Sequence, residues 1–211
     1  MDQKDTKQRI LDAAERLFST EGYYRTSLRA LTKEAEVNLA SVNYHFGSKE
    51  ELLRAVIERR LVPLNKTRTK RLQAVMGEAR QKNRRPEARE VLKAFIEPTF
   101  SFKNSGPGAG EFIALIGRSF SEPDGTVRAI FMQLINPLFM LLSESLAEAV
   151  PELPRKVFLC RLHFIIGAMV HTLHMPTFGH ECGKEEDAIP ASDDLMEMFL
   201  TFVTSGLMAP V

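Results

Sequence analysis

Cysteine is scarce in this sequence: Cys160 and Cys182 are the only two among 211 residues. Two thiols are too few for a disulfide framework, so packing must hold the fold, and a reducing compartment is expected. Long apolar runs are also missing. None approaches the roughly 18 uninterrupted apolar residues of a membrane span, and the longest candidate, Phe158–Met175, is broken by Arg161, His163, His171 and His174. The opening residues, Met-Asp-Gln-Lys-Asp-Thr-Lys-Gln, are charged and lack the apolar core of an export signal. These absences together predict a cytoplasmic location and no membrane partner. Signatures of common enzyme chemistry are absent as well. There is no Gly-x-Ser-x-Gly elbow, no phosphate-cradling glycine loop, no His-Glu-x-x-His and no paired-cysteine motif. The expectation is a protein that is not an enzyme and needs no cofactor.

What is present is charge, unevenly placed. The net charge of +1 and the 44% apolar content are those of an ordinary globular protein. Yet residues 1–60 carry eleven Lys/Arg against ten Asp/Glu, residues 61–103 carry eleven against four, and residues 104–211 carry six against thirteen. Basic excess is confined to the first half of the chain.

Helical periodicity runs almost throughout, with no sustained strand alternation, which predicts an all-α fold. Ile10, Ala13, Ala14, Leu17 and Phe18 form one apolar stripe, and Gly22 stops that helix. Thr26 or Ser27 can cap a second short helix containing Leu28, Leu31 and Ala35. Asn38 can cap a third, in which Val42 and Phe46 face inward. Ser48 with Glu51 forms a capping box that opens a fourth helix through Leu52, Leu53, Val56 and Ile57, with a bend expected near Pro63. Beyond Arg85-Pro86, further helical segments are expected around Glu87–Phe102, Ala109–Phe120, Thr126–Val150, Arg155–His174 and Asp193–Leu207, with an acidic loop at Pro176–Pro190. Two domains follow: residues 1–60, a helix-turn-helix head, and residues 61–211, a larger helical bundle.

The short third helix, Leu39-Ala-Ser-Val-Asn-Tyr-His-Phe46, suits a major groove. Ala40, Ser41, Asn43, Tyr44 and His45 are small, hydroxylic, amide or polar-aromatic groups that can approach phosphates or read base edges. The run from Thr26 to Leu53, ending Val-Asn-Tyr-His-Phe-Gly-Ser-Lys-Glu-Glu-Leu-Leu, resembles the signature of the TetR family of repressors. Its wording further resembles the fatty-acid-responsive members of that family. The resemblance implies that Thr26 and Ser27 bind phosphate through hydroxyl and backbone N–H, and that Arg29 contacts the backbone or a nearby base. It further implies that Asn38, Ala40, Ser41 and Asn43 face the DNA, while Tyr44, His45 and Lys49 grip phosphates. Two positions depart from the family pattern. Glu36 stands where the turn usually has glycine, and Asn43 replaces the usual aromatic of the reading helix. Asn43 is thereby a candidate for bidentate recognition of adenine.

Nine of the 14 phenylalanines fall between Phe95 and Phe164. Helices this apolar make either a packed core or the lining of a pocket. Arg118, flanked by Phe112, Leu115, Ile116 and Phe120, needs an acidic partner, either in the chain or on a ligand. Phe112, Leu115, Arg118, Phe131, Ile135, Phe139 and His163 are the candidate ligand contacts. The resemblance implies a small hydrophobic effector, of long-chain fatty acid or acyl-CoA type, whose binding favours the state that cannot hold DNA. Apolar faces on the last two helices suggest a homodimer contact and hence a palindromic operator. His171, His174, His180 and Cys182, near Glu181 and Glu185, are of the residue types that hold a metal ion. Their spacing is irregular, and a polar helix end with no metal is the simpler reading. An alternative, a lipid- or membrane-binding helical protein, would explain the apolar second half but leave the helix-turn-helix without a use.

Overall fold

The computed structural model describes residues 3–103, 105–119, 125–174 and 192–211, and all regular structure among them is α-helix. The helices are α1 (Gln3–Thr20), α2 (Leu28–Glu34), α3 (Leu39–Phe46), α4 (Lys49–Gln81), α5 (Ala88–Lys103), α6 (Ala109–Ser119), α7 (Thr126–Ala149), α8 (Arg155–His174) and α9 (Ser192–Met208). The chain forms two compact units, one of Met1–Pro63 with Asn104–Ile135, the other of Leu64–Lys103 with Asn136–Val211. The first unit therefore holds more than the head expected at residues 1–60, because α6 and the start of α7 pack with it.

In that unit the predicted stripe of α1 forms the core. Ile10, Ala13, Ala14 and Phe18 are at most 1% exposed, and Leu31 of α2, Val42 of α3, and Leu52, Leu53, Val56 and Ile57 of α4 are buried in the same unit. Helices of seven and eight residues are marginal alone in water, so this shared core and the caps at their ends are what hold α2 and α3. α6 lays Phe112, Leu115 and Ile116 against α1. A charged cluster completes the unit. Glu15 of α1 is 4% exposed and accepts from Arg60 through both oxygens at 2.8 Å. It also accepts from Arg59, which reaches Asp12 at 2.6 Å. Arg60 continues to the Pro107 carbonyl at 3.0 Å. The hydrogen bond that Arg60 donates to Glu15 holds the guanidinium pKa above its ordinary range. Gly108 has φ +84°, and an added Cβ there would stand 1.9 Å from Nη2 of Arg60.

In the second unit α5, α8 and α9 pack together. Phe100 and Phe199 meet with ring centroids 5.5 Å apart. Arg161 of α8 donates to the carbonyls of Leu207, Ala209 and Pro210, closing the end of α9. α4 stays helical through Pro63, and Pro98 and Pro137 likewise lie inside α5 and α7. Proline thus ends none of these helices, since packing of the flanking turns outweighs one lost backbone hydrogen bond. α7 and the stretch Arg155–Leu173 have the length and mean hydropathy of a membrane span, a property that core helices of a bundle share. The Pro176–Pro190 loop, and with it His180, Glu181, Cys182 and Glu185, lies outside the described residues, as does the side chain of His174. His171 is exposed.

Candidate nucleic-acid interface

The reading helix is fixed at both ends by its own sequence. At its start Asn38 is extended, and its Oδ1 accepts from the backbone N–H of Ser41 at 2.8 Å and from the Ser41 hydroxyl at 3.0 Å. At its end Gly47 takes φ +73°, a conformation that costs little without a Cβ, and its N–H donates to the Asn43 carbonyl at 2.9 Å. α2 is capped by Ser27, whose Oγ accepts from the Ala30 N–H at 3.0 Å. α4 is capped by Ser48, whose Oγ accepts from the Glu51 N–H at 3.0 Å. Half of the expected capping box is thus formed. The N–H of Ser48 donates to the Phe46 carbonyl at 2.8 Å.

Between these caps Val42 and Phe46 turn inward, while Ala40, Asn43 and Tyr44 are exposed and Ser41 and His45 half-buried. Tyr44, at 74% exposure, is the most prominent aromatic of α3. It packs edge-on against His45, with ring centroids 5.2 Å apart. Ser27, Arg29 and Asn38 are exposed beside them. This is a helix with two inward anchors and a polar outer face, the arrangement that lets base edges and phosphates reach side chains.

Lys49 has a partner that the sequence reading missed. Its Nζ lies 4.3 Å from the ring centroid of Tyr23, and partial burial lowers its pKa from the ordinary lysine value. Tyr23 stacks edge-on with Phe18 and with Tyr24, and the Tyr24 hydroxyl donates to Thr126 Oγ1 at 2.6 Å. The ring therefore orients the ammonium group through a cation–π contact. The only signal in sequence is the Tyr23-Tyr24 pair after Gly22, which carries no indication of what the rings touch.

Thr26 is a correction. It is fully buried, and both its hydroxyl, at 2.8 Å, and its N–H, at 3.3 Å, donate to the Gly22 carbonyl. Neither donor is left for a phosphate. Thr26 holds the turn after α1, and Ser27 is the residue that caps α2. Glu36 has the left-handed φ of +50° that its place in the turn demands. Arg9 of α1 donates to its carbonyl at 2.9 Å and to its carboxylate at 3.2 Å, pinning the strained residue from across the unit.

The expected ligand contacts are divided between the two units. Phe112 and Leu115 of α6 and Ile135 of α7 are buried, and Phe131 is half-buried, all in the first unit. Phe139 and His163 belong to the second unit, and His163 is exposed on α8. Arg118 was expected to need an acidic partner. It donates to the carbonyls of Ser19 and Thr20 at 3.0 and 2.9 Å, at the C-terminal end of α1, where a cation also suits the helix dipole.

Comparison with known proteins agrees with this geometry. Residues 10–56 match the family model for bacterial regulatory proteins of the tetR family, and residues 93–206 match the tetracyclin repressor-like C-terminal domain. The HTH-type transcriptional regulator LmrA of Bacillus subtilis is 47% identical over 49 residues, which cover 23% of this chain and 26% of that protein. UidR of Escherichia coli is 38% identical over 52 residues, 25% of this chain and 26% of that one. The match thus spans about a quarter of the length of these relatives. Among solved structures, the fatty acid degradation regulator FadR from Bacillus halodurans superposes with a TM-score of 0.68 at 15% identity, over 96% of both chains. FadR from Bacillus subtilis, solved with stearoyl-CoA, does so with 0.67 at 15% identity, over 94% of this chain and 98% of that one. With family models matching both its head and most of its C-terminal half, the chain belongs to the tetR family of bacterial regulators.

Proposed function

We propose that the chain is a cytoplasmic, ligand-responsive transcriptional repressor that binds a palindromic operator as a homodimer and is released by a small hydrophobic effector. The observation that carries this reading is α3, capped at both ends, with an exposed polar face flanked by Lys49. In this reading Asn43 reads a base edge, and Ala40 and Ser41 let the helix approach closely. Ser27, Arg29, Asn38, Tyr44, His45 and Lys49 engage the sugar–phosphate backbone. The fatty-acid-type wording of the head and the FadR neighbours support a long-chain acyl effector. The homodimer is supported by side chains left open on the last two helices. Phe164, Met198 and Phe202 are at least 60% exposed, and with Arg161, Ile165, Val203 and Gly206 the two phenylalanines line an apolar recess of 150 Å³. Large exposed side chains clustered on two adjacent helices suit a second copy of the same surface.

The test is fluorescence anisotropy or mobility shift with DNA upstream of the protein's own gene, with and without long-chain acyl-CoA. Salt-sensitive binding to a palindromic segment, relieved by the acyl compound, is expected. No binding to any such segment would overturn the regulator reading. Binding indifferent to every acyl compound would remove the effector proposal alone.

A further inference from the structure

Arg68 lies on α4 in the second unit and is only 3% exposed. Other arginines of this stretch meet carboxylates: Arg71 pairs with Glu97 at 3.1 Å and Arg84 with Glu90 at 3.1 Å. Arg68 has no carboxylate partner among the described residues. Its Nε donates to Thr99 Oγ1 at 3.1 Å, Nη1 donates to Asn65 Oδ1 at 3.2 Å, and Nη2 donates to Thr99 Oγ1. The guanidinium plane lies over Phe95, with Cζ 4.6 Å from the ring centroid. Thr99 spends its own proton on the Phe95 carbonyl at 3.2 Å, so its hydroxyl oxygen faces Arg68 as an acceptor.

Every one of these partners is neutral. A cation taken out of water without a counter-charge costs several kcal/mol, and a hydrophobic side chain of similar volume would pack there more cheaply. Burial alone lowers the Arg68 pKa to about 9. A guanidinium carries five N–H groups, and the three bonds to Thr99 and Asn65 occupy one on each nitrogen. Among the described residues one N–H therefore remains on each terminal nitrogen, the paired donor pattern that an oxyanion accepts. Leu64 and Leu72, one turn to either side on α4, are buried, as are Leu92 and Ile96 on α5.

We propose that Arg68, oriented by Thr99 and Asn65, recognises the oxyanion head of an amphipathic ligand whose tail lies along the apolar side chains of α4 and α5. The proposal rests on the ligand-responsive reading above and assigns the head group to Arg68. It also gives the buried cation a counter-charge, which no ion pair among the described residues supplies.

The full chain is titrated with laurate, dodecyl phosphate and dodecanol below their micelle concentrations, reading affinity by calorimetry and melting temperature by differential scanning. Release of operator DNA is followed in parallel. In the wild type at least one of the anions binds about tenfold or more tightly than the alcohol, the size expected for one charge-assisted hydrogen bond. The better of the two anions identifies the head as carboxylate or phosphate. Arg68→Met keeps or raises the melting temperature of the free protein and loses the preference for anions. Arg68→Lys, which keeps charge but not the fork, recovers part of that preference and serves if the methionine variant does not fold. An alcohol bound as tightly as both anions, or a preference that survives in both variants, overturns the proposal. So does absence of binding by all three probes. Operator release by dodecanol equal to that by the anions sinks the Arg68 site yet leaves the ligand-responsive reading standing.

Discussion

At position 36 a glutamate holds a left-handed backbone, φ +50°, in the turn that delivers the reading helix. Its ion pair with Arg9 is largely exposed on the glutamate side and contributes little. Glu36→Gly should therefore raise stability by about 0.5–1 kcal/mol, read from the denaturation midpoint. A loss of that size would show that Arg9 outweighs the strain. Two polar residues of the reading face should separate in their effects on DNA. Asn43→Ala relaxes sequence preference, whereas Lys49→Ala weakens all sequences alike and reduces the salt slope by about one. Binding isotherms on operator and scrambled DNA at several salt concentrations decide this, and the reverse pattern would reassign the two roles. Arg68 carries a pH prediction whose sign is fixed by burial. Burial depresses its folded pKa to about 9, so from there up to the ordinary arginine range the unfolded chain holds a proton that the folded chain sheds. Stability should rise as pH climbs through that window, with the penalty fully present below it. Denaturation midpoints compared with Arg68→Met between about pH 8 and 10 should converge as pH rises. Parallel curves would mean that Arg68 keeps its proton.

Among the elements, α1 is the most heavily engaged. It supplies the core stripe, receives Arg118 at its C-terminal end and holds Glu15 between Arg59 and Arg60 of α4. Gly108 sits against this cluster because only a residue without Cβ leaves Arg60 room to reach both Glu15 and the Pro107 carbonyl. Gly108→Ala should cost about 2 kcal/mol or more, combining a strained φ with displacement of a buried ion pair. Thermal unfolding measures it, and a melting temperature within error of the wild type would show that Arg60 moves aside freely. The short helices α2 and α3 are legible in sequence because their signals are local. A cap and its N–H acceptor lie three residues apart, and an inward anchor pair lies four apart.

For the molecule as a whole, the proposed dimer predicts that Phe164→Glu or Phe202→Glu shifts sedimentation toward a single chain. Operator affinity should fall with it, because a palindrome is read by two heads at once. Either variant remaining a dimer would place the contact elsewhere. The two compact units also differ from a simple break after the head. α6 and the first turns of α7 join α1 through side chains about a hundred positions away, as Arg118 to Ser19 shows with a separation of 99 residues.

By itself the sequence determined the all-α class, the helix starts at Ser27, Asn38 and Ser48, the inward Val42 and Phe46 and the kinship of the head, because each follows from periodicity and capping over three or four residues. Tertiary structure alone decided which polar side chains remain free. Thr26 looks like an open phosphate donor in sequence but is closed onto Gly22. Arg118 stands among apolar neighbours in sequence, and packing brings it to the carbonyls of Ser19 and Thr20. Arg68 reads as one more charge in a basic run, yet among the described residues it is buried beside neutral partners. The burial and pairing of a side chain depend on segments tens of residues distant, and those distances are set only when the helices pack.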